Sequence, residues 1–172
     1  LLLREDARVF DDGVVFRLGP EHFWLTSTAG NAAAVHGWLE QARQWHLRTA
    51  GAVVTDVGAQ WATLVICGPR AREVLRRAGC ALDLDAAAFP FMAVRGGAVA
   101  GVAARVFRVS FTGELSYEVN VPASRGLAVW QALWDAGQAL GLQAVGSEAN
   151  HILRVEKGYL SMAHEVDGIA TP

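Results

Sequence analysis

Residues 108–119 read Arg108-Val109-Ser110-Phe111-Thr112-Gly113-Glu114-Leu115-Ser116-Tyr117-Glu118-Val119, and the architecture of the chain follows from this stretch. Carboxylates and aromatic rings stand beside a glycine turn, between apolar runs typical of strands. Strand alternation puts Glu118 on the opposite face from Tyr117 if two apolar rows point to one side, Phe107, Val109 and Phe111 on one strand and Leu115, Tyr117 and Val119 on the next. That opposite face is then a pocket for a flat polar ring. The simpler alternative is a hairpin in which Gly113 takes a positive φ and both glutamates are solvated.

Composition limits the class of protein. The chain has 172 residues, and its 52% apolar content is enough for a buried core. A formal net charge of −2 argues against nucleic acid as a partner and favours a small molecule or another protein. No apolar run approaches the roughly 20 residues of a membrane span, which predicts a soluble protein. Cys67 and Cys80 lack the spacing of a metal or redox pair and are expected to be reduced structural thiols of a cytoplasmic protein.

The pattern of elements predicts an α+β fold with largely antiparallel sheets and a split βαββαβ-like arrangement. The predicted order is β-β-α-β-β-α-β-β-β-α-β-α. Its strands are expected at 14–18, 23–27, 52–57, 61–67 and within 94–121, with a further strand before the last helix. Helices are expected after Asn31, Gly68-Pro69 and Ser124, and over 148–157 with Ser147 as the N-cap.

Asp11-Asp12-Gly13 precedes the first of the longer strands. One interpretation is a turn, since aspartate tolerates a left-handed backbone and glycine supplies a positive φ. The other makes one aspartate a proton acceptor or a stabiliser of a cationic intermediate. Spacing alone does not decide between the two.

Other polar stretches indicate structure more than chemistry. His151 is by default a core or surface histidine, and His164-Glu165 is expected to be a polar loop; no metal site is predicted. Residues 96–101 are glycine-rich but lack the G-x-G-x-x-G spacing and lead into a hairpin. Binding of NAD, FAD or ATP within this segment is therefore rejected, while a flavin on another chain stays possible.

Three patches in this order, residues 10–18, 110–120 and 153–159, resemble the folate-binding aminomethyltransferase (glycine cleavage T-protein) superfamily. Within it, residues 88–92, 113–122 and 148–159 are most similar to the C-terminal half of the alpha subunits of heterotetrameric sarcosine oxidases. The resemblance runs along nearly the whole chain.

The resemblance implies roles for individual residues. Asp12 matches the family's catalytic aspartate, near the reactive nitrogens of tetrahydrofolate. Phe16 and Phe111 occupy positions where tyrosines are usual, and both are expected at the folate or substrate site, with Phe111 at the position of a tyrosine that contacts the folate. Glu118 matches the glutamate that binds the pterin, a role that suits a carboxylate able to accept two parallel N–H bonds. Asn150 stands where T-proteins have an arginine, and this departure favours the sarcosine oxidase branch.

The implied reaction transfers one carbon from the imine of an oxidised N-methyl amine, sarcosine, to tetrahydrofolate, giving 5,10-methylenetetrahydrofolate. FAD or FMN is expected only on partner flavoprotein subunits or in regions outside this chain. Residues 1–172 are expected to form a partial domain, without an N-terminal segment and a C-terminal β domain. In this account Glu118 and Asp12 face one bound folate.

Two alternatives stay open. The first is a glycine cleavage aminomethyltransferase, which takes its substrate from a lipoyl carrier protein. The second is a non-catalytic folate-binding or assembly module, like the iron–sulfur cluster assembly proteins of the same fold. Those proteins typically carry Lys-Gly-Cys-Tyr, whereas residues 157–159 read Lys157-Gly158-Tyr159.

Overall fold

The computed structural model describes residues 1–46, 48 and 51–172. The chain divides into unit 1, Leu1–Val57 with Leu160–Pro172, and unit 2, Gly58–Tyr159. Unit 1 contains strands β1 (Leu2–Leu3), β2 (Val9–Asp11), β3 (Val15–Gly19) and β4 (His22–Leu25) and helix α1 (Ala32–Trp45). Unit 2 contains β5 (Trp61–Cys67), α2 (Ala71–Arg77), β6 (Val94–Val99), β7 (Val102–Phe107), β8 (Ser116–Pro122), α3 (Gly126–Gln138) and α4 (Ser147–Lys157).

Unit 1 is built on two antiparallel strand pairs, β1–β2 and β3–β4. The predicted hairpin is confirmed, since Gly19-Pro20-Glu21 joins β3 to β4 and proline cannot continue a strand ladder. Asn31 stands at the N-cap of α1, as predicted, but its side chain makes no capping bond there. Its amide instead donates to the carbonyl of Phe10 (3.1 Å), which ties the start of the helix to β2.

Unit 2 contains a four-stranded sheet in the order β5-β8-β7-β6, and all of its strand pairs are antiparallel. The order of elements up to α3 is β-α-β-β-β-α, so β8 follows β7 directly. Ala100 and Gly101 both have positive φ (51° and 74°), the geometry of a two-residue hairpin turn between β6 and β7. The predicted α+β class with antiparallel sheets is confirmed.

The core of unit 2 lies on one face of this sheet. Alternate residues of β8 (Tyr117, Val119 and Val121) are 0% exposed and pack with apolar side chains of α2 and α3, such as Leu75 and Val129. Burying each such side chain contributes about 1.5–3 kcal/mol to the stability of the fold. Both helices therefore cover the Tyr117 face, and Glu118 alternates to the other side of the sheet.

Some predicted elements are wrong. Residues 52–57 form no strand, although they are rich in valine, and Val53 is 85% exposed. β propensity is expressed only where a neighbouring strand supplies hydrogen bonds, and none of the described strands pairs with this segment. Residues 139–146 likewise contain no strand before α4.

Two predicted helix caps lie one position or more away from the observed ones. Ser124 falls inside the 3₁₀ turn Ala123–Arg125, and α3 begins after it at Gly126. Ser147 is the first residue of α4, and Gly146 is its N-cap. Within the described parts of the chain, every helix falls short of the length and apolar character needed to cross a bilayer.

Candidate functional site

Asp11 and Asp12 differ sharply in environment. Asp11 ends β2 with 0% exposure; its Oδ1 accepts the backbone N–H of Asp12 (2.8 Å), and its Oδ2 is buried without a hydrogen-bond partner among the described residues. Asp12 lies on the exposed side of the segment. Partial loss of water raises the pKa of Asp12, and the neighbouring charge of Asp11 raises it further. Asp12 can therefore hold a proton more readily than an isolated aspartate.

Gly13 fixes the backbone after this pair. A Cβ at this position would overlap the carbonyl oxygen of Thr26, so only glycine permits the approach of the two segments. The Thr26 hydroxyl accepts the N–H of Val14 (3.0 Å), and the Thr26 N–H donates to the carbonyl of Val14 (3.0 Å). Gly13 is not among the residues with positive φ, so the interpretation of a glycine turn with that backbone is wrong here. Glycine is required at this position because the backbone packs closely against Thr26.

Phe16, the second position where the sequence predicts a ring beside the folate, lies in β3 opposite Trp24. It is 4% exposed, so little of its surface is open to a ligand. Its part in binding remains a prediction.

Glu118 lies at the centre of β8, opposite Val65 of β5 and Phe107 of β7. The predicted separation of Tyr117 and Glu118 onto opposite faces is confirmed. The prediction that Phe107 shares the Tyr117 face is wrong, because the register pairs Phe107 with Glu118 and directly paired residues share a face. Burial is the cause of a raised pKa at Glu118.

The surroundings of Glu118 are suited to recognition. None of the described residues donates a hydrogen bond to its carboxylate, whereas nearby Asn120 accepts one from the Thr63 hydroxyl (2.6 Å). A half-buried carboxylate without a partner is costly unless a ligand supplies donors. The carboxylate of Glu118 is therefore free to accept hydrogen bonds from a ligand with N–H donors, and its part in binding remains a prediction.

The loop between β7 and β8 carries Phe111. Strand β7 ends at Phe107, so Phe111 lies in this loop and not in a strand as predicted. Its ring is 44% exposed, while Val109 and Thr112 on either side are 7% and 8% exposed. Gly113 has φ 81°, which confirms the predicted positive φ. The loop is therefore anchored on both sides of a projecting ring.

One hydroxyl group in the same loop lacks a partner among the described residues. The side-chain oxygen of Ser110 is buried and makes no hydrogen bond there, whereas the buried Thr112 hydroxyl interacts with the Cys67 thiol. An unsatisfied buried hydroxyl costs about 1–3 kcal/mol. Such groups are common where a bound molecule completes the hydrogen bonds.

Helix α4 contributes a residue that the sequence did not single out for function. The His151 ring stands nearly perpendicular to the Phe111 ring (79°), with ring centroids 6.3 Å apart. Arg154, one helical turn later, donates from Nε to Nδ1 of His151 (3.4 Å). The spacing of His151 and Arg154 was visible in the sequence as an i, i+3 pair, but their approach to Phe111 was not.

The thiols are poorly placed for reaction. Cys67 and Cys80 are free and half-buried, and burial raises the pKa of both. The negative charge of Glu114 raises the pKa of Cys67 further. A raised pKa leaves little of the reactive thiolate at neutral pH. No group of three or more metal-ligating side chains occurs among residues 1–46, 48 and 51–172.

The comparison with protein families gives one match over the whole chain. Residues 1–172 match the model of the GCVT N-terminal domain. The sarcosine oxidase subunit alpha of Corynebacterium sp. strain U-96 is 38% identical over 173 residues, which are 100% of this chain and 18% of that protein. The aminomethyltransferase of Pelodictyon phaeoclathratiforme is 32% identical over 174 residues, 100% of this chain and 46% of that protein.

Solved structures give the same picture. Aminomethyltransferase T of the glycine cleavage system from Bartonella henselae matches with a TM-score of 0.71 and 28% identity, over 93% of this chain and 40% of that one. The heterotetrameric sarcosine oxidase from Corynebacterium sp. U-96, in complex with pyrrole 2-carboxylate, matches with a TM-score of 0.62 and 26% identity, over 78% of this chain and 64% of that one. The chain spans less than half the length of the curated relatives named above. With its full-length match to the family model, the chain belongs to the GCVT N-terminal domain family.

Proposed function

We propose that the chain is part of a sarcosine oxidase-like alpha subunit and takes part in folate-dependent one-carbon transfer. The carbon comes from the imine of an oxidised N-methyl amine, sarcosine, and the products are 5,10-methylenetetrahydrofolate and glycine. The observation that carries the proposal is the unpartnered, half-buried carboxylate of Glu118 on a chain 38% identical to a sarcosine oxidase alpha subunit. A flavin on a partner subunit would supply the oxidising chemistry.

Glu118 is proposed to bind the pterin. A carboxylate accepts two parallel N–H bonds from an aminopyrimidinone edge, and such charge-assisted bonds are about twice as strong as neutral ones. The partly dry surroundings of Glu118 strengthen them further, because charges are less screened away from water. The exposed ring of Phe111 offers apolar surface to a flat ligand.

Asp12 is proposed to handle protons at the reacting nitrogen. Bound tetrahydrofolate supplies the nitrogen nucleophile, N5, that accepts the carbon. Asp12 assists proton transfer there, and its negative charge stabilises the cation that develops. A raised pKa suits this role, since a group that titrates closer to neutrality both accepts and releases a proton. The buried carboxylate of Asp11 contributes to that pKa.

The test is product analysis on the full-length protein in its complex. We expect Asp12→Ala to lower the yield of methylenetetrahydrofolate while oxidation of sarcosine continues. The control is Asp6→Ala, which removes an exposed carboxylate of the same unit that pairs with Arg8. Unchanged product yield in Asp12→Ala contradicts the role of Asp12. Absence of tetrahydrofolate binding to the wild type, measured by calorimetry, removes every folate-based function.

A glycine cleavage aminomethyltransferase is the second candidate. It is supported by the TM-score of 0.71 to the Bartonella henselae enzyme, which covers 93% of this chain. Asn150 argues against this candidate, because the T-proteins that this sequence resembles carry an arginine at that position. Purification of the protein from its source distinguishes the two: a co-purifying flavoprotein subunit supports the oxidase, and transfer from a lipoyl carrier protein supports the transferase.

A further inference from the structure

The Phe111 ring is the projecting part of an otherwise anchored loop. On its N-terminal side the Arg108 guanidinium donates to the carbonyl of Phe89 (2.5 Å). The Arg108 backbone N–H donates to the carbonyl of Ala93, and the Arg108 carbonyl accepts the N–H of Met92. On its C-terminal side Gly113 packs against the side chain of Lys157 so closely that an added Cβ would overlap it. The backbone around Phe111 is therefore held, and the orientation of the ring depends on what the ring itself contacts.

On α4, the His151 side chain contacts the Phe111 ring. The two rings form an edge-to-face pair, an arrangement that is favourable beyond the burial of area. His151 is in turn held by Arg154, whose Nε–H donates to His151 Nδ1. In that bond His151 Nδ1 is the acceptor.

Arg154 is itself fixed at the C-terminal end of α4. It is 2% exposed, and its Nη1 donates to the carbonyl of Tyr159 (2.8 Å). Gly158 ends the helix with φ 83°, and the Tyr159 N–H donates a hydrogen bond to the carbonyl of Arg154 (2.9 Å). A rigid helix end thus orients Arg154, which orients the His151 ring against Phe111.

We propose that His151 is a positioning residue that holds the Phe111 ring ready to contact the flat ring of a bound ligand. This inference rests on the proposed function, in which the ligand is a reduced pterin. Ordering a side chain on binding costs about 0.5–1.5 kcal/mol, which corresponds to about two- to thirteenfold in affinity. A ring that is already ordered before the ligand arrives avoids that cost, while its exposed surface stays available.

The experiment measures tetrahydrofolate affinity in the full-length protein within its complex. His151→Ala is expected to weaken binding about three- to tenfold. His151→Phe, which keeps a ring edge but gives Arg154 no acceptor, is expected to restore only part of the affinity. Ile152→Ala is the matched control, since this neighbouring side chain on α4 is 55% exposed and is expected to change nothing.

A double-mutant cycle separates positioning from a general structural role. If His151 acts through Phe111, Phe111→Ala with His151→Ala binds no more weakly than Phe111→Ala alone. Additive losses overturn the inference, as does wild-type affinity in His151→Ala.

A readout without ligand separates the failure of this inference from failure of the proposed function. The side-chain order of Phe111, measured by NMR of labelled phenylalanine in the full-length protein, is expected to fall in His151→Ala relative to wild type and to stay unchanged in Ile152→Ala. Unchanged order of the Phe111 ring overturns the positioning role. If the wild type binds no tetrahydrofolate, the proposed function and the assignment of a pterin fail together, and the order of the ring alone then decides whether His151 positions it.

Discussion

Phe107 and Glu118 are directly opposite each other on β7 and β8, so a fully buried ring and a carboxylate share one face of the sheet. The apolar neighbour withholds water from the carboxylate without offering it a hydrogen bond. This arrangement explains why burial raises the pKa of Glu118. It is costly for the isolated protein and useful for binding a ligand that brings its own donors.

Glu118→Gln is expected to weaken tetrahydrofolate binding about tenfold or more, because an amide supplies one acceptor and no charge where charge-assisted bonds are proposed. Calorimetry on the full-length protein measures this loss. Glu114→Gln is the matched control, since Glu114 lies in the preceding loop and is exposed. Equal affinities of Glu118→Gln and wild type would remove Glu118 from the site.

The same substitution is expected to increase stability at neutral pH. A carboxyl whose pKa is raised in the folded state stabilises the fold below its unfolded pKa, and that contribution is lost as pH rises through the folded value. Glutamine does not ionise and avoids the loss. The free energy of unfolding of Glu118→Gln relative to wild type should therefore grow from pH about 4 to neutral. A difference that shrinks over this range contradicts the assigned environment.

Gly13→Ala is expected to destabilise the protein by about 1–3 kcal/mol, because the added Cβ overlaps the backbone carbonyl of Thr26. Thr26 cannot move away without breaking the hydrogen bonds that its hydroxyl and backbone N–H make with Val14. Chemical denaturation measures this change. Gly37→Ala is the control, since Gly37 lies within α1 with open space around it, and alanine there is expected to stabilise by about 0.5–1 kcal/mol. Equal effects of the two substitutions would contradict the close approach.

The structural features that depend only on neighbouring residues along the chain were predicted from the sequence. Alternation within β8 separates Tyr117 from Glu118 without any knowledge of other strands, and Gly19-Pro20-Glu21 marks a hairpin by turn chemistry alone. The burial of Asp11 and the exposure of Asp12 were not predicted, because that difference depends on how β2 is packed.

What depends on pairing between strands was harder to predict. The face of Phe107 is set by the β7–β8 register, and a shift of one residue moves every side chain of a strand to the other face. Residues 52–57 have strand composition but no strand partner among the described residues. The contact of His151 with Phe111 joins segments that are distant in the sequence, so no local sequence pattern predicts it.

Gly113→Ala is expected to be more harmful than Gly158→Ala. Both glycines have nearly the same φ (81° and 83°), so both substitutions carry the left-handed penalty of about 1–2 kcal/mol. Only at Gly113 does an added Cβ also overlap a side chain, that of Lys157. Unfolding free energies compare the two, and Lys157→Ala in the Gly113→Ala background should recover part of the loss. Failure to recover would contradict the packing of the loop on α4.

Asp11→Asn tests the coupling within the aspartate pair. The charge of Asp11 is the second cause of the raised pKa of Asp12, after desolvation, so its removal should lower the pKa of Asp12 without returning it to the ordinary value. The acidic limb of the pH profile for methylenetetrahydrofolate formation by the full complex should then shift to lower pH. Asp6→Asn, which neutralises an exposed carboxylate of the same unit, serves as the control and should leave the profile in place. A shift to higher pH in Asp11→Asn would contradict the coupling of the two carboxylates.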